Sequence, residues 1–224
     1  MKGKLEILAL VLGTIGLVGT IAVTVMPMWK VTAFIGPNIV IMEMQWEGLW
    51  MACIRQADIS MQCKVYDSLL ILPADIQAAR GLMCAAITLA VLAVLVSVFG
   101  LSGTNRFQED FRAKKVILGV GGCLFVLASL ATLLPVSWTT NTIVRDFYNP
   151  MVVESLKREI GQALYVGFAT FIFLVIAGVI LLCRYSHQRE EEEEEVYAPV
   201  YEDKLRMSML SRTSSNSYRK NQYV

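Results

Sequence analysis

Histidine is nearly missing from this chain: His187 is the only one in 224 residues. A histidine-based catalytic dyad or metal centre therefore has no raw material anywhere but at that one position. Charge is missing more pointedly. Four stretches, Ile7 to Met26, Gly81 to Leu101, Val116 to Val136 and Ala163 to Cys183, hold no Asp, Glu, Lys or Arg. The absence of intramembrane ionisable groups argues against a transport path through the spans. No Ser or Cys nucleophile motif is visible either, so no catalytic residue, metal ligand or cofactor is expected.

What those four stretches do contain is apolar sequence, and about 20 residues at a rise of 1.5 Å cross a hydrocarbon core of roughly 30 Å. The hydrophobic share is 55% and the mean hydropathy +0.54. The expected fold class is a membrane α-helical protein, a left-handed four-helix transmembrane bundle bearing a small extracellular antiparallel β-sheet. The first stretch exceeds the h-region of a signal peptide and no small-residue cleavage site follows, so it is expected to be retained. Arg106, Arg112, Lys114 and Lys115 crowd the short connection after the second stretch, and Lys2 and Lys4 precede the first. Basic flanks stay cytoplasmic. The segments follow: 1–6 cytoplasmic, 7–26 first span, 27–80 first outer loop, 81–101 second span, 102–115 cytoplasmic loop, 116–136 third span, 137–162 second outer loop, 163–183 fourth span, 184–224 cytoplasmic tail.

The outer side is oxidising, which permits a bridge between Cys53 and Cys63 in the first outer loop. Cys84, Cys123 and Cys183 lie within or at the ends of spans. Val31 to Phe34 and Ile39 to Met42 flank the turn triplet Gly36-Pro37-Asn38, and Met61 to Val65 makes a further strand. Closing the short hairpin between Cys53 and Cys63 contributes about 3 kcal/mol in the chain-entropy model. Trp46, Leu49 and Trp50 fit either an aromatic belt at the membrane interface or a wedge of the sheet onto the helix ends.

Trp29, Gly48-Leu49-Trp50, Cys53 and Cys63, with Arg80 at the mouth of the second span, resemble the signature of the claudins, the tight-junction strand proteins. Helix order, a long first and a short second outer loop, Phe147-Tyr148-Asn149-Pro150 and the terminal Tyr223-Val224 are similar to that family as well. Within it, Ile54 to Ala57, Pro135 to Trp138 and Arg145 to Asn149 look closest to the eighth and seventeenth members. The cytoplasmic loop departs from many relatives in lacking cysteines for palmitoylation. The resemblance implies a structural and adhesive protein of the plasma membrane at tight junctions. It would polymerise with other claudins in cis and pair with them in trans, bounding a paracellular path. An auxiliary subunit of a channel or receptor, from the wider superfamily sharing the Gly-Leu-Trp and cysteine motif, is the alternative.

On this reading Lys64 is the main determinant of ion selectivity, with Arg55 in support and Gln56 neutral, giving a cation barrier or a weakly anion-selective path. Lys64 read instead as a solvated edge-strand charge would discourage wrong strand pairing. Phe147, Tyr148 and Pro150 form the expected trans-contact tip, with Glu159 supporting it and suited to a helix N-terminus. Gly13, Gly16 and Gly19 line one face of the first span for close helix packing, within the subunit rather than between copies. The tail carries the acidic run Glu190 to Glu195 and no apolar periodicity, so disorder is expected there. Its end, Tyr223-Val224, suits the groove of a PDZ scaffold. Membrane lipids are expected partners and nucleic acid is not.

Overall fold

The computed structural model describes residues 2–33, 44–55, 60–68, 72–102, 111–153 and 157–220. Four long helices carry the apolar stretches: α1 (Lys2–Val25), α2 (Ala74–Ser102), α3 (Phe111–Tyr148) and α4 (Gln162–Lys220). Each contains a membrane-length apolar span. Between α1 and α2 lie β1 (Lys30–Thr32), β2 (Met44–Glu47), β3 (Met51–Arg55) and β4 (Gln62–Val65), and β5 (Arg158–Ile160) precedes α4. The expected strand over Ile39 to Met42 and the triplet Gly36-Pro37-Asn38 lie outside the described residues.

All five strands join one antiparallel sheet in the order β4-β3-β2-β1-β5. The sheet therefore combines both outer loops, which the residues of the second loop did not announce. α3 also continues past Val136 to Tyr148, so much of the second outer loop is helix. Pro135 lies inside that helix and denies an i+4 amide to the Ala131 carbonyl.

The chain divides into two compact units, Met1–Leu182 and Cys183–Val224. Within the first, Phe125, Leu118, Leu174 and Leu181 pack with Ala9, Ala90, Ala93, Ala128 and Ala177 into a core between the helices. Small residues bring the backbones close. A Cβ on Gly13 would meet the Phe125 ring, one on Gly16 the Leu174 side chain, and one on Gly19 the Thr170 hydroxyl. The glycine face of α1 is thus spent on packing inside the subunit. A second core at the outer end gathers Val23, Trp29, Leu49, Ala79, Met83, Val136, Ile143, Ala163 and Leu164. This core fastens the sheet to the bundle. The second unit is helical through Lys220, where composition predicts a segment without structure. Glu, Lys, Arg and Met are good helix formers, and only Pro199 interrupts them strongly.

Candidate functional site

The motif residues converge on the turn between β2 and β3. Gly48 lies where a Cβ would come within 2.5 Å of the Pro27 backbone, so only glycine lets the turn sit against the end of α1. Leu49 is buried in the outer core, a burial that contributes about 2 kcal/mol. Leu49 is the wedge; Trp50 stays about a third exposed. Three successive carbonyls of the motif are captured. The Tyr66 hydroxyl donates to Gly48 O at 3.4 Å, Arg80 Nε to Leu49 O at 2.6 Å, and the Tyr66 amide to Trp50 O at 3.3 Å. The Arg80 guanidinium lies over the Trp50 ring at 4.9 Å and the Tyr66 ring at 5.5 Å. A buried cation is thereby held by two aromatic faces and a carbonyl. Burial pushes the Tyr66 phenol up, the Glu47 carboxylate adds to this, and Arg80 and Arg158 act the other way.

Trp29 is 2% exposed and donates from Nε1 to Val23 O at 2.8 Å, so it closes the end of α1. Its own carbonyl accepts from Gly161 N, and Met28 O accepts from Ala163 N, both at 3.0 Å. The latter satisfies an amide of the first turn of α4. A Cβ on Gly161 would collide with the Met28 carbonyl. Cys53 and Cys63 are bonded and face each other across β3 and β4, with Cα atoms 4.0 Å apart.

Strand register sorts the charges. Lys30 pairs with Glu47 and with Ile160, Thr32 with Arg158, and Ala52 with both Glu47 and Lys64. Directly paired residues share a face, so Lys30, Thr32, Gln45, Glu47, Lys64 and Arg158 lie on one side. Trp46, Cys53, Arg55, Cys63 and Glu159 lie on the other. On the first face Arg158 bonds Glu47 at 2.8 Å, Gln45 Oε1 at 3.1 Å and Thr32 Oγ1 at 3.0 Å. The Thr32 hydroxyl also accepts from Gln45 N and donates to Gln45 O. Lys64 is fully exposed and bonds Asp67 at 2.6 Å. That hydrogen bond, with the Asp67 charge behind it, holds the Lys64 ammonium above its usual range.

The tip beyond α3 is an Asn149 turn. Met151 N is received by Asn149 Oδ1, and Asn149 N and Val152 N bond back to Asp146 O and Asn149 O. It displays Tyr148, 79% exposed, and Met151, 89% exposed, beside Pro150 and Val153. Phe147 is only half-exposed, edge-on to Tyr148 at 5.5 Å and beneath Lys157 Nζ at 5.7 Å.

A family model described as the PMP-22/EMP/MP20/Claudin family matches residues 3–181. The chain is 47% identical to claudin-8 of Mus musculus over 220 residues, 98% of each chain. Claudin-3 of Homo sapiens is 51% identical over 82% of this chain and 83% of its own length. Claudin-17 of Sus scrofa is 46% identical over 83% and 84%. The chain belongs to the claudin family.

Claudins are structural proteins of the tight-junction plasma membrane, and the four apolar helices of this claudin suit that multi-pass placement. The structure brings Trp29, Gly48, Leu49, Trp50 and Arg80 into one cluster, and Lys64 onto the face that holds the Arg158 network. It does not bring Arg55 to Lys64: three residues along β3 from Ala52, Arg55 points to the opposite face. Glu159 is an exposed strand residue paired with Val31, ahead of the first turn of α4. Gln56, Tyr223 and Val224 lie outside the described residues. Sequence reasoning missed Arg158, Tyr66, Met151 and Gly161. Arg158 sits in a strand of three residues whose partners are 111 to 126 positions away, which leaves no local signal. Gly161, beside the start of the fourth apolar run, was within reach as a close-approach glycine.

Proposed function

We propose that this claudin polymerises in cis and pairs in trans to form a paracellular barrier that opposes cations or passes anions weakly. The observation that supports the sign is the exposed Lys64 on the face it shares with Lys30 and Arg158, where Asp67, Asp75 and Glu47 offset much of the positive charge. A fixed, exposed ammonium such as Lys64 beside a narrow aqueous path disfavours cations within a Debye length of about 8 Å. Glu47 neutralises Arg158 and Asp67 neutralises part of Lys64, so the selectivity is weak. Arg55 serves the rim on the other face, and Gln56 adds no charge.

Trans pairing uses the tip of Phe147, Tyr148 and Pro150, to which Met151 adds apolar area, with Glu159 bracing β5 against β1. Exposed aromatic and Met side chains on a turn suit the buried centre of an interface. Scaffold binding falls to Tyr223 and Val224, whose carboxylate end suits strand addition to a PDZ groove.

The test is the NaCl dilution potential across an epithelial monolayer expressing the wild type, Lys64→Asp or Asp67→Asn. Chloride preference reverses in Lys64→Asp and grows in Asp67→Asn, which frees the ammonium from its partner. Identical potentials for all three proteins at equal surface delivery would sink the selectivity reading.

A further inference from the structure

Arg80 is 7% exposed, yet among the described residues no carboxylate pairs with it. Of the N–H donors its guanidinium carries, Nε alone reaches a protein acceptor, the Leu49 carbonyl. Trp50 and Tyr66 cover its faces and leave the edge formed by the two Nη atoms without an acceptor among the described residues. That edge is not sealed from its surroundings. We propose that the Nη edge of Arg80 binds the phosphate of a phospholipid in the outer leaflet.

Charge is one argument. A cation withdrawn from water is costly unless an anion or other acceptors replace its hydration. The carboxylates beside it are committed elsewhere. Glu47, whose charge is felt at Tyr66, is bonded to Arg158, and Asp67, next to Tyr66 in the chain, is bonded to Lys64. Asp75, five residues before Arg80 on α2, lies about 140° around the helix from it. A phosphate supplies what is missing, because two of its oxygens match the fork of a guanidinium. It caps an open edge and needs no enclosed cavity.

Depth is another. Arg80 immediately precedes the charge-free run that begins at Gly81, so its Cα lies about 1.5 Å outside the hydrocarbon. Helix side chains lean toward the N-terminus, which in α2 is the sheet end. The guanidinium is thereby carried into the headgroup layer, which is about 6 Å deep. Below it the surface of α2 is low: Cys84 and Thr88, one and two turns on, are exposed, and Gly81 has open space around it. An acyl chain of the same lipid has room to follow that surface.

Substituting Arg80 also releases Leu49 and Trp50, so the deciding measurement uses the wild type. Full-length protein, isotope-labelled at its arginine and tryptophan carbons, is reconstituted in phosphatidylcholine vesicles and read by magic-angle-spinning NMR. The Arg80 signal is recognised by its transfer to the Trp50 ring, and dephasing of its Cζ by phosphorus gives the distance between them. A distance of about 4 Å is expected, the separation in a bidentate guanidinium–phosphate pair. Arg145, exposed and nine residues beyond the third apolar run, provides the background. In phosphorus-free maltoside with inorganic phosphate alone, the Arg80 dephasing is lost, because a free anion has no acyl chains to hold it there. Dephasing of Arg80 no greater than that of Arg145 in the vesicles overturns the proposal. Full dephasing by inorganic phosphate in maltoside assigns the edge to a free anion and overturns the lipid.

Discussion

Gly161 is a single hydrogen atom wide because the chain entering β1 passes through the space a side chain would fill. Gly161→Ala must push the Met28 carbonyl away, breaking the bonds from Gly161 N and Ala163 N together. The expected outcome is retention in the endoplasmic reticulum, scored by surface biotinylation, whereas Gly81→Ala, with open space around it, is delivered normally. Tyr66 offers a titration. Its phenol is raised above the ordinary tyrosine value of about 10, so the folded state favours the neutral form. The stability it contributes is complete below about pH 10 and is lost as pH rises through the raised folded value. Absorbance at alkaline pH should show a phenolate component above the ordinary tyrosine range, and Tyr66→Phe should remove it. The residues legible in the sequence were those that carry the family resemblance: Trp29, the Gly-Leu-Trp turn, the cysteine pair and Arg80. Tyr66 was hidden because nothing about a tyrosine three residues after a cysteine says that it covers an arginine on a helix.

Among the elements, β5 is the least readable and the most consequential. It holds three residues, and its pairing to β1 is defined by backbone bonds and by Arg158, not by an apolar alternation of its own. Arg158 and Glu47 are both less than a third exposed. Removing the guanidinium strands a half-buried carboxylate and frees Thr32 and Gln45, a loss of about 2 kcal/mol. Arg158→Ala should lower the melting temperature by about 5 °C, with Arg158→Lys in between because an ammonium cannot bond three partners as a fork does. Equal melting temperatures for Arg158→Ala and wild type would show the network to be idle. The helices were legible because a membrane demands long uncharged runs. Their outer extensions were not, since α3 continues through Ser137 to Tyr148 on packing against the sheet rather than on hydropathy.

In the whole molecule, the glycines of α1 set how the bundle closes. A side chain on Gly16 would run into Leu174, so Gly16→Leu should separate α1 from α4 and abolish surface delivery. Substituting Val18, which faces outward, should leave delivery intact and provides the paired control. The four membrane-length helices were legible as a whole; the joining of β1 and β5 in one sheet was not, because it depends on pairing between residues more than 100 positions apart. That joining has a mechanical meaning. The turn at Asn149 to Val153 is tethered on one side to a helix and on the other to an edge strand of the sheet. On the proposed trans pairing, tension applied there by an apposed cell would be divided between α3 and the β1–β5 ladder, so the sheet proposed to filter ions would also bear the load of holding two cells together.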